Sequence, residues 1–227
     1  GLKMANGTNP QRDAPFPGTR GKSASLVRQA FIDAQEYQRK LDEAAADPGK
    51  MPERNLRMEA LCEVLRGERV VHHHTHRHDD ILTVLRLADE FDFRVVLHHV
   101  SDGWKIPDEI AEAGAPCSVI LVDSPGGKQE AIDISYETGR ILDDAGVDVA
   151  FHTDDLITDS RWFRRMPALA MRAGMDRQSA LESITIKGAM MLDLDDRIGS
   201  LEPDKDADFI LLDGDPFSIY TTNLQTW

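Results

Sequence analysis

Three short, largely apolar runs in this chain end in histidine: Arg69-Val70-Val71-His72-His73-His74, Val95-Val96-Leu97-His98-His99 and Val147-Asp148-Val149-Ala150-Phe151-His152. Each leads into a stretch with helical spacing or turn residues. Consecutive β-branched and apolar residues over so short a span suit a strand buried on both faces. Strands of this kind alternating with helices predict a parallel sheet covered by helices. Polar groups are then tolerated only where a strand emerges. In parallel β/α folds the carboxyl ends of the strands are where sites are built. The architecture and the histidines therefore point to the same end of the same sheet.

Along the chain, residues 1–5 look like the last part of a buried strand. Residues 6–22 are dense in Gly, Pro and Asn, the chemistry of a loop, and loops of this length often serve as lids or binding loops. Ser23 or Ser25 is expected to cap a helix running to about Ala46, because Leu26, Val27, Ala30, Phe31, Ala34 and Tyr37 share a face. Asp47-Pro48-Gly49 stops it. A second helix is expected from about Pro52 to Gly67. Then come strand 69–74 and helix 78–91, strand 94–99 and helix 106–113, strand 118–122 and helix 128–145. Strand 147–152 and helices 160–173 and 177–192 complete the series. Residues 195–206 are polar and turn-rich, 207–213 read as a strand, and this last part is expected to turn into a second, β-rich piece.

Composition removes several function classes. A formal net charge of -14 argues against a nucleic-acid partner, since phosphate binding needs clustered Lys and Arg. No apolar run approaches the ~18 residues needed to span a membrane. Cys62 and Cys117 make no disulfide framework and read as buried thiols.

The candidate site follows from position. His74, His99 and Asp154 fall at strand ends one and then two strand–helix units apart, aiming two imidazoles and a carboxylate into one mouth. Such a set suits a divalent ion, Zn²⁺ above all. Asp154 can then move a proton between water and a leaving group. Asp155, Asp79 and Asp80 are expected to fix histidine tautomers. His72, His73, His76 and His78 taken singly fit a solvated strand end better than a ligand role. His98 and His99 face opposite ways if extended, and periodicity does not say which one reaches the centre.

These residues carry a family resemblance. Gly1-Leu2-Lys3-Met4-Ala5-Asn6-Gly7-Thr8-Asn9-Pro10, the stretches 71–81 and 99–105, and Phe151-His152-Thr153-Asp154-Asp155 resemble the amidohydrolase superfamily, its imidazolonepropionase-like members in particular. Residues 198–210 with Gly214-Asp215-Pro216 are similar to that family's return from barrel to β-sandwich. The resemblance implies an α/β chain forming the second half, strands four to eight, of a (β/α)₈ TIM-type barrel over residues 1–195. Residues 196–227 would start the small β-sandwich. It implies hydrolysis of amide or cyclic amide C–N bonds with one or two divalent metals, Zn most of all. Metal-activated water would attack a carbonyl carbon with Asp154 as proton shuttle. By motif His74 is the strand-five ligand, His99 the strand-six histidine and Asp154 the strand-eight aspartate. Lys3 resembles the strand-four lysine that some members carboxylate between two metals. Arg77, Lys105, Asn6 and Arg20 are the expected contacts of a small amide or peptide-like substrate.

The family's His-x-His pair of the first strand is absent, and a full barrel usually takes about 250 residues. The expectation is therefore a second chain or fragment that carries the N-terminal half barrel. Two rival functions stay open: deamination of a ring amidine by the same metal logic, and a non-catalytic metal-binding role.

Overall fold

The structure, a computed structural model, describes residues 1–12, 16–121, 128–155 and 157–227. The apolar runs form five parallel strands: β1 (Leu2–Ala5), β2 (Val71–Thr75), β3 (Val95–His99), β4 (Cys117–Val119) and β5 (Val149–Phe151). They pair in the order β1-β2-β3-β4-β5, each with the next in sequence. A sheet that winds in one direction without reversal is the pattern of a β/α barrel rather than of a doubly wound sheet. Strands β4 and β5 are shorter than predicted, and Val122, the predicted end of β4, lies outside the described residues.

One face of the sheet lies on the helices. Val71, Val95, Leu97, Cys117, Val119, Val149 and Phe151 pack there into the main core with Phe31, Ile81, Ile110, Leu142 and Met166. The other face carries a small second cluster, Val70, Val96 and Ala150, closed by Met191. Both cysteines are buried and free. No helix among the described residues is long and apolar enough to cross a membrane.

Several helices differ from the expectation, each for a local reason. Helix α1 (Arg20–Ala46) begins ahead of Ser23, because Thr19 is extended and its side chain accepts from the Lys22 N–H. Helix α2 (Leu56–Leu65) starts at its own cap, Asn55, whose side chain accepts from the Met58 N–H, and not at Pro52. Helix α3 (His78–Phe91) spans the predicted residues and opens with Asp79 and Asp80, which suit the positive end of the helix dipole. Helix α4 is Pro107–Glu112.

The expected helix 128–145 is broken. A single turn, Gln129–Ala131, is separated from α5 (Thr138–Asp144). Between them the Trp104 indole N–H donates to the Asp133 carbonyl and Lys105 meets the Asp133 carboxylate, 2.5 Å away. The next expected helix reduces to a turn, Ser160–Trp162, and α6 (Arg165–Arg172). The last divides into α7 (Arg177–Glu182) and α8 (Ile186–Met190). That break has a clear cause: the Ser183 carbonyl accepts from the Phe151 N–H at 3.0 Å, so helix backbone is diverted to strand β5.

Strands β6 (Ile210–Leu212) and β7 (Asn223–Thr226) form a separate antiparallel pair, with a bulge between Leu211 and Leu212. Phe209 stacks on Trp227 beside it at 5.9 Å.

Candidate metal centre

Residues in register on a parallel sheet point to the same face. Lys3 pairs with His72 and His72 with Val96, while Ala5, His74, His98, Ser118 and Ala150 form the next row. His72, His74 and His98 therefore share the face that also carries Val96 and Ala150. His73 goes to the other face, 2 % exposed, its Nδ1 3.0 Å from the His74 carbonyl.

His99 breaks the alternation. Its row contains Thr75, Val119 and Phe151, and Val119 and Phe151 are buried on the helix side. A regular strand would send His99 there too. Instead His99 has φ +74° and Val100 φ +52°. A positive φ at a β-branched residue is an outlier, and such a conformation costs on the order of 1–3 kcal/mol. It turns the imidazole back into the mouth, with ring centroids 4.3 Å from His74 and 5.0 Å from His76.

His76 lies one residue past β2, held by an extension of the ladder. Val100 N–H donates to the Thr75 carbonyl and Asp102 N–H to that of His76, at 3.0 and 2.9 Å. The segment after β3 thus clamps the segment after β2 and buries His76.

His74, His76 and His99, all buried, present ring nitrogens within 4.8 Å of one another. His76 Nδ1 meets Ser101 Oγ at 2.7 Å and His99 Nδ1 meets His152 Nε2 at 3.0 Å. Nε2 of each is left for the centre. His74 Nε2 is buried with no hydrogen-bond partner among the described residues. An orphaned buried polar atom is costly unless a ligand satisfies it, and this nitrogen together with one ring nitrogen each from His76 and His99 is a donor set that a divalent ion fits. Burial is the first cause that lowers the histidine pKa values: His74 to about 2, His76 to about 4 and His99 further still, with His152 and His74 adding to the effect at His99. All three are neutral near pH 7, the form that binds metal.

Of the remaining histidines, His72 and His78 are partly exposed, and each has a polar partner. His72 Nδ1 lies 2.9 Å from His98 Nε2 on the floor beneath the cluster. His78 Nδ1 pairs with the Asp102 carboxylate at 3.1 Å. Among the expected ligands, Asp154 is exposed just past β5, with φ +50°. It is electrostatically coupled to His76 and to Lys3. Partial burial lowers the Lys3 pKa against the opposing pull of Asp154.

The expected substrate contacts have internal partners. Arg77 forms a two-toothed pair with Asp79 at 2.9 Å. Lys105 pairs with Asp133 and, at 3.1 Å, with Asp102. Arg20 bridges Asp80 at 2.7 Å and Glu130 at 2.9 Å. Asn6 donates to the Asp80 carbonyl at 2.8 Å, while its buried Oδ1 has no partner among the described residues. Asp79 and Asp80 are thus engaged with arginines, and Asp155 accepts from the Ser160 N–H. The ring nitrogens of His76 and His99 find a serine and a histidine rather than these carboxylates.

Two residues at the centre were not singled out from the sequence. His76 had a signal, the His-x-His spacing with His74, which lets two side chains project from one side of an extended segment. His152 had none beyond its place after a strand.

A family model described as the amidohydrolase family matches residues 67–227. An amidohydrolase of Hapsidospora irregularis is 26% identical over 243 residues, covering 100% of this chain and 25% of that protein. An imidazolonepropionase of Picrophilus torridus is 23% identical over 191 residues, 82% of this chain and 43% of that protein. The crystal structure of an amidohydrolase from Thermotoga maritima MSB8 superposes with a TM-score of 0.95 at 35% identity, over 100% of this chain and 60% of that one. The chain thus spans less than half the length of these curated relatives.

Proposed function

The chain belongs to the amidohydrolase family, and from that membership together with the geometry of the centre we propose that it is the metal-binding part of a hydrolase of amide or cyclic amide C–N bonds. One observation carries this reading: three buried imidazoles converge at the carboxyl ends of a parallel sheet. His74, His76 and His99 would hold a divalent ion, for which the all-nitrogen donor set favours zinc. When bound, such an ion polarises a carbonyl and lowers the pKa of water at the site toward ~7. Asp154, exposed at the rim, takes the proton from the attacking water and returns it to the leaving nitrogen. Lys3, whose pKa burial lowers, lies on the same face and is placed to take part in a second metal site. Asn6 keeps an unsatisfied oxygen for a substrate N–H, whereas Arg77, Lys105 and Arg20 would have to leave internal partners to meet substrate.

In this reading β1–β5 are strands four to eight of a (β/α)₈ barrel, and β6–β7 begin the small sandwich. The remaining barrel strands, on a second polypeptide or in a longer chain, would cover the β1 and β5 edges. The match to only 60% of the Thermotoga structure supports this.

The test is turnover of an amide and cyclic-amide panel by the Zn-loaded full-length protein. His74→Ala and Asp154→Asn should each lower kcat by about 10²-fold or more. Turnover unaltered in both variants rules the assignment out. Release of ammonia from ring amidines in place of amide hydrolysis would instead identify a deaminase.

A further inference from the structure

We propose that His152 is the positioning residue for His99, and that Ser118 holds His152 in turn. The inference rests on the metal-centre reading above. It concerns a hydrogen-bonded chain behind His99 whose other two members, His152 and Ser118, belong neither to the ligand set nor to the proton shuttle.

The chain has three members. His99 Nδ1 lies 3.0 Å from His152 Nε2, and His152 Nδ1 lies 2.8 Å from Ser118 Oγ. The rings of His99 and His152 meet edge to face, centroids 4.8 Å apart. Each member is anchored by backbone. His152 N–H donates to the Val119 carbonyl at 3.1 Å, which carries the β4–β5 ladder one residue past β5. Ser118 sits in β4, in register with His98 and Ala150, and is 6 % exposed.

A neutral imidazole has one N–H, so the chain has two proton arrangements. In the first, His99 Nδ1–H donates to His152 Nε2, and His152 Nδ1–H donates to Ser118 Oγ. His99 Nε2 then carries a lone pair toward His74 and His76. In the second, Ser118 Oγ–H donates to His152 Nδ1, and His152 Nε2–H donates to His99 Nδ1. The His99 proton then sits on Nε2 and closes the centre. A metal selects the first arrangement, in which His152 carries its proton on Nδ1.

The contact also answers the strain at His99. Its row in the sheet directs it to the helix side, and only the positive φ brings it inward. His152 is the group that hydrogen-bonds the ring once it has turned. Ligating histidines are commonly held by a hydrogen bond to the other ring nitrogen, and loss of such a partner costs 10–100-fold in metal affinity.

Co²⁺ is the probe, titrated into the full-length protein and followed through its visible d–d bands. His152→Phe keeps a ring of similar size and removes both nitrogens; it should bind Co²⁺ about 10–100-fold more weakly with altered bands. His152→Gln returns an acceptor near the Nε2 position and should recover most of the loss. Ser118→Ala, which leaves His152 in place, should weaken binding by a smaller factor and serves if the Phe variant does not fold. Two-bond ¹⁵N–¹H spectra should show His152 protonated at Nδ1 in the Zn-loaded protein.

Unchanged Co²⁺ affinity and bands in folded His152→Phe and Ser118→Ala would overturn the proposal. So would a Gln variant no better than Phe, or a Zn-loaded His152 that keeps its proton on Nε2. His74→Ala separates the two levels. Loss of Co²⁺ there without an effect at His152 refutes the positioning role alone, whereas tight binding retained there removes the metal centre itself.

Discussion

Replacing Arg20 with Met should destabilise the protein by about 3–5 kcal/mol, the cost of removing one partner from a buried charge cluster. Arg20 spans two carboxylates, Asp80 at 2.7 Å and Glu130 at 2.9 Å, whose side chains are 6% and 1% exposed while its own is 31% exposed. At such separations each pair is worth roughly 6 kcal/mol of gross Coulomb energy at an effective dielectric of 20, most of it offset by desolvation. The Met stem preserves packing, so the loss is electrostatic.

The two carboxylates are not hit equally. Glu130 keeps the Thr8 N–H and hydroxyl at 2.8 and 2.6 Å, whereas the Asp80 carboxylate loses its arginine. Burial already pushes the Asp80 pKa up, with Arg20 pulling it back. In the variant it rises further, so the ionised group is the destabilising form. The deficit should be largest near pH 8 and shrink as pH falls and Asp80 takes up a proton in the folded state. Urea unfolding of both proteins at about pH 8 and about pH 5 measures this directly. A deficit below about 1 kcal/mol, or one that does not change with pH, would refute the electrostatic account. Arg20→Met acting on KM with an unshifted urea midpoint would mark Arg20 as a substrate contact instead.

Other expectations follow from the same geometry. His76→Ala should lower Zn²⁺ affinity by 10-fold or more with the fold intact, read by competition with a chromophoric chelator; an unchanged affinity would mean that His76 is not a ligand. Acid should weaken the apo protein. Burial holds His73 and His152 at about 4, below the unfolded value near 6.5, so stability is full above about pH 6.5 and lost as pH falls toward 4. Each should contribute on the order of 1–3 kcal/mol to that loss, and His73→Phe, on the helix side, should remove part of the slope in a denaturant series across this range. Phe31 is fully buried between Phe91 and Phe93, ring centroids 5.1 and 4.9 Å away. Phe31→Ala should therefore cost about 3–5 kcal/mol, seen as a fall in the urea midpoint with metal affinity unaltered.

The strands were legible in the sequence because the runs that form them are short, largely apolar and set off by turn residues. Burial on both faces leaves one reading of Val95-Val96-Leu97 or Val149-Ala150-Phe151. The helix ends were legible where a proline–glycine stop decides them, as at Asp47-Pro48-Gly49. They were not where tertiary structure competes for the backbone. The 177–192 pattern is helical throughout, yet Ser183 gives its carbonyl to Phe151, a residue of a neighbouring strand. The expectation that Asp79 and Asp80 hold the histidine tautomers gave way too: Arg20, far away in the chain, engages Asp80, and the neighbouring Arg77 engages Asp79.

The sequence by itself determined that imidazoles and carboxylates gather at the carboxyl ends of a parallel sheet, since polar groups can follow such strands only where they emerge. It left open which histidines meet. Side-chain alternation holds only while the backbone stays extended, and His99 lies where β3 gives way to two residues of positive φ. That turn, the clamp that buries His76 and the approach of His152 are contacts between strands far apart in the chain. Such contacts leave no periodic trace, because they depend on where neighbouring strands end and not on what precedes them, and only the tertiary structure decided them.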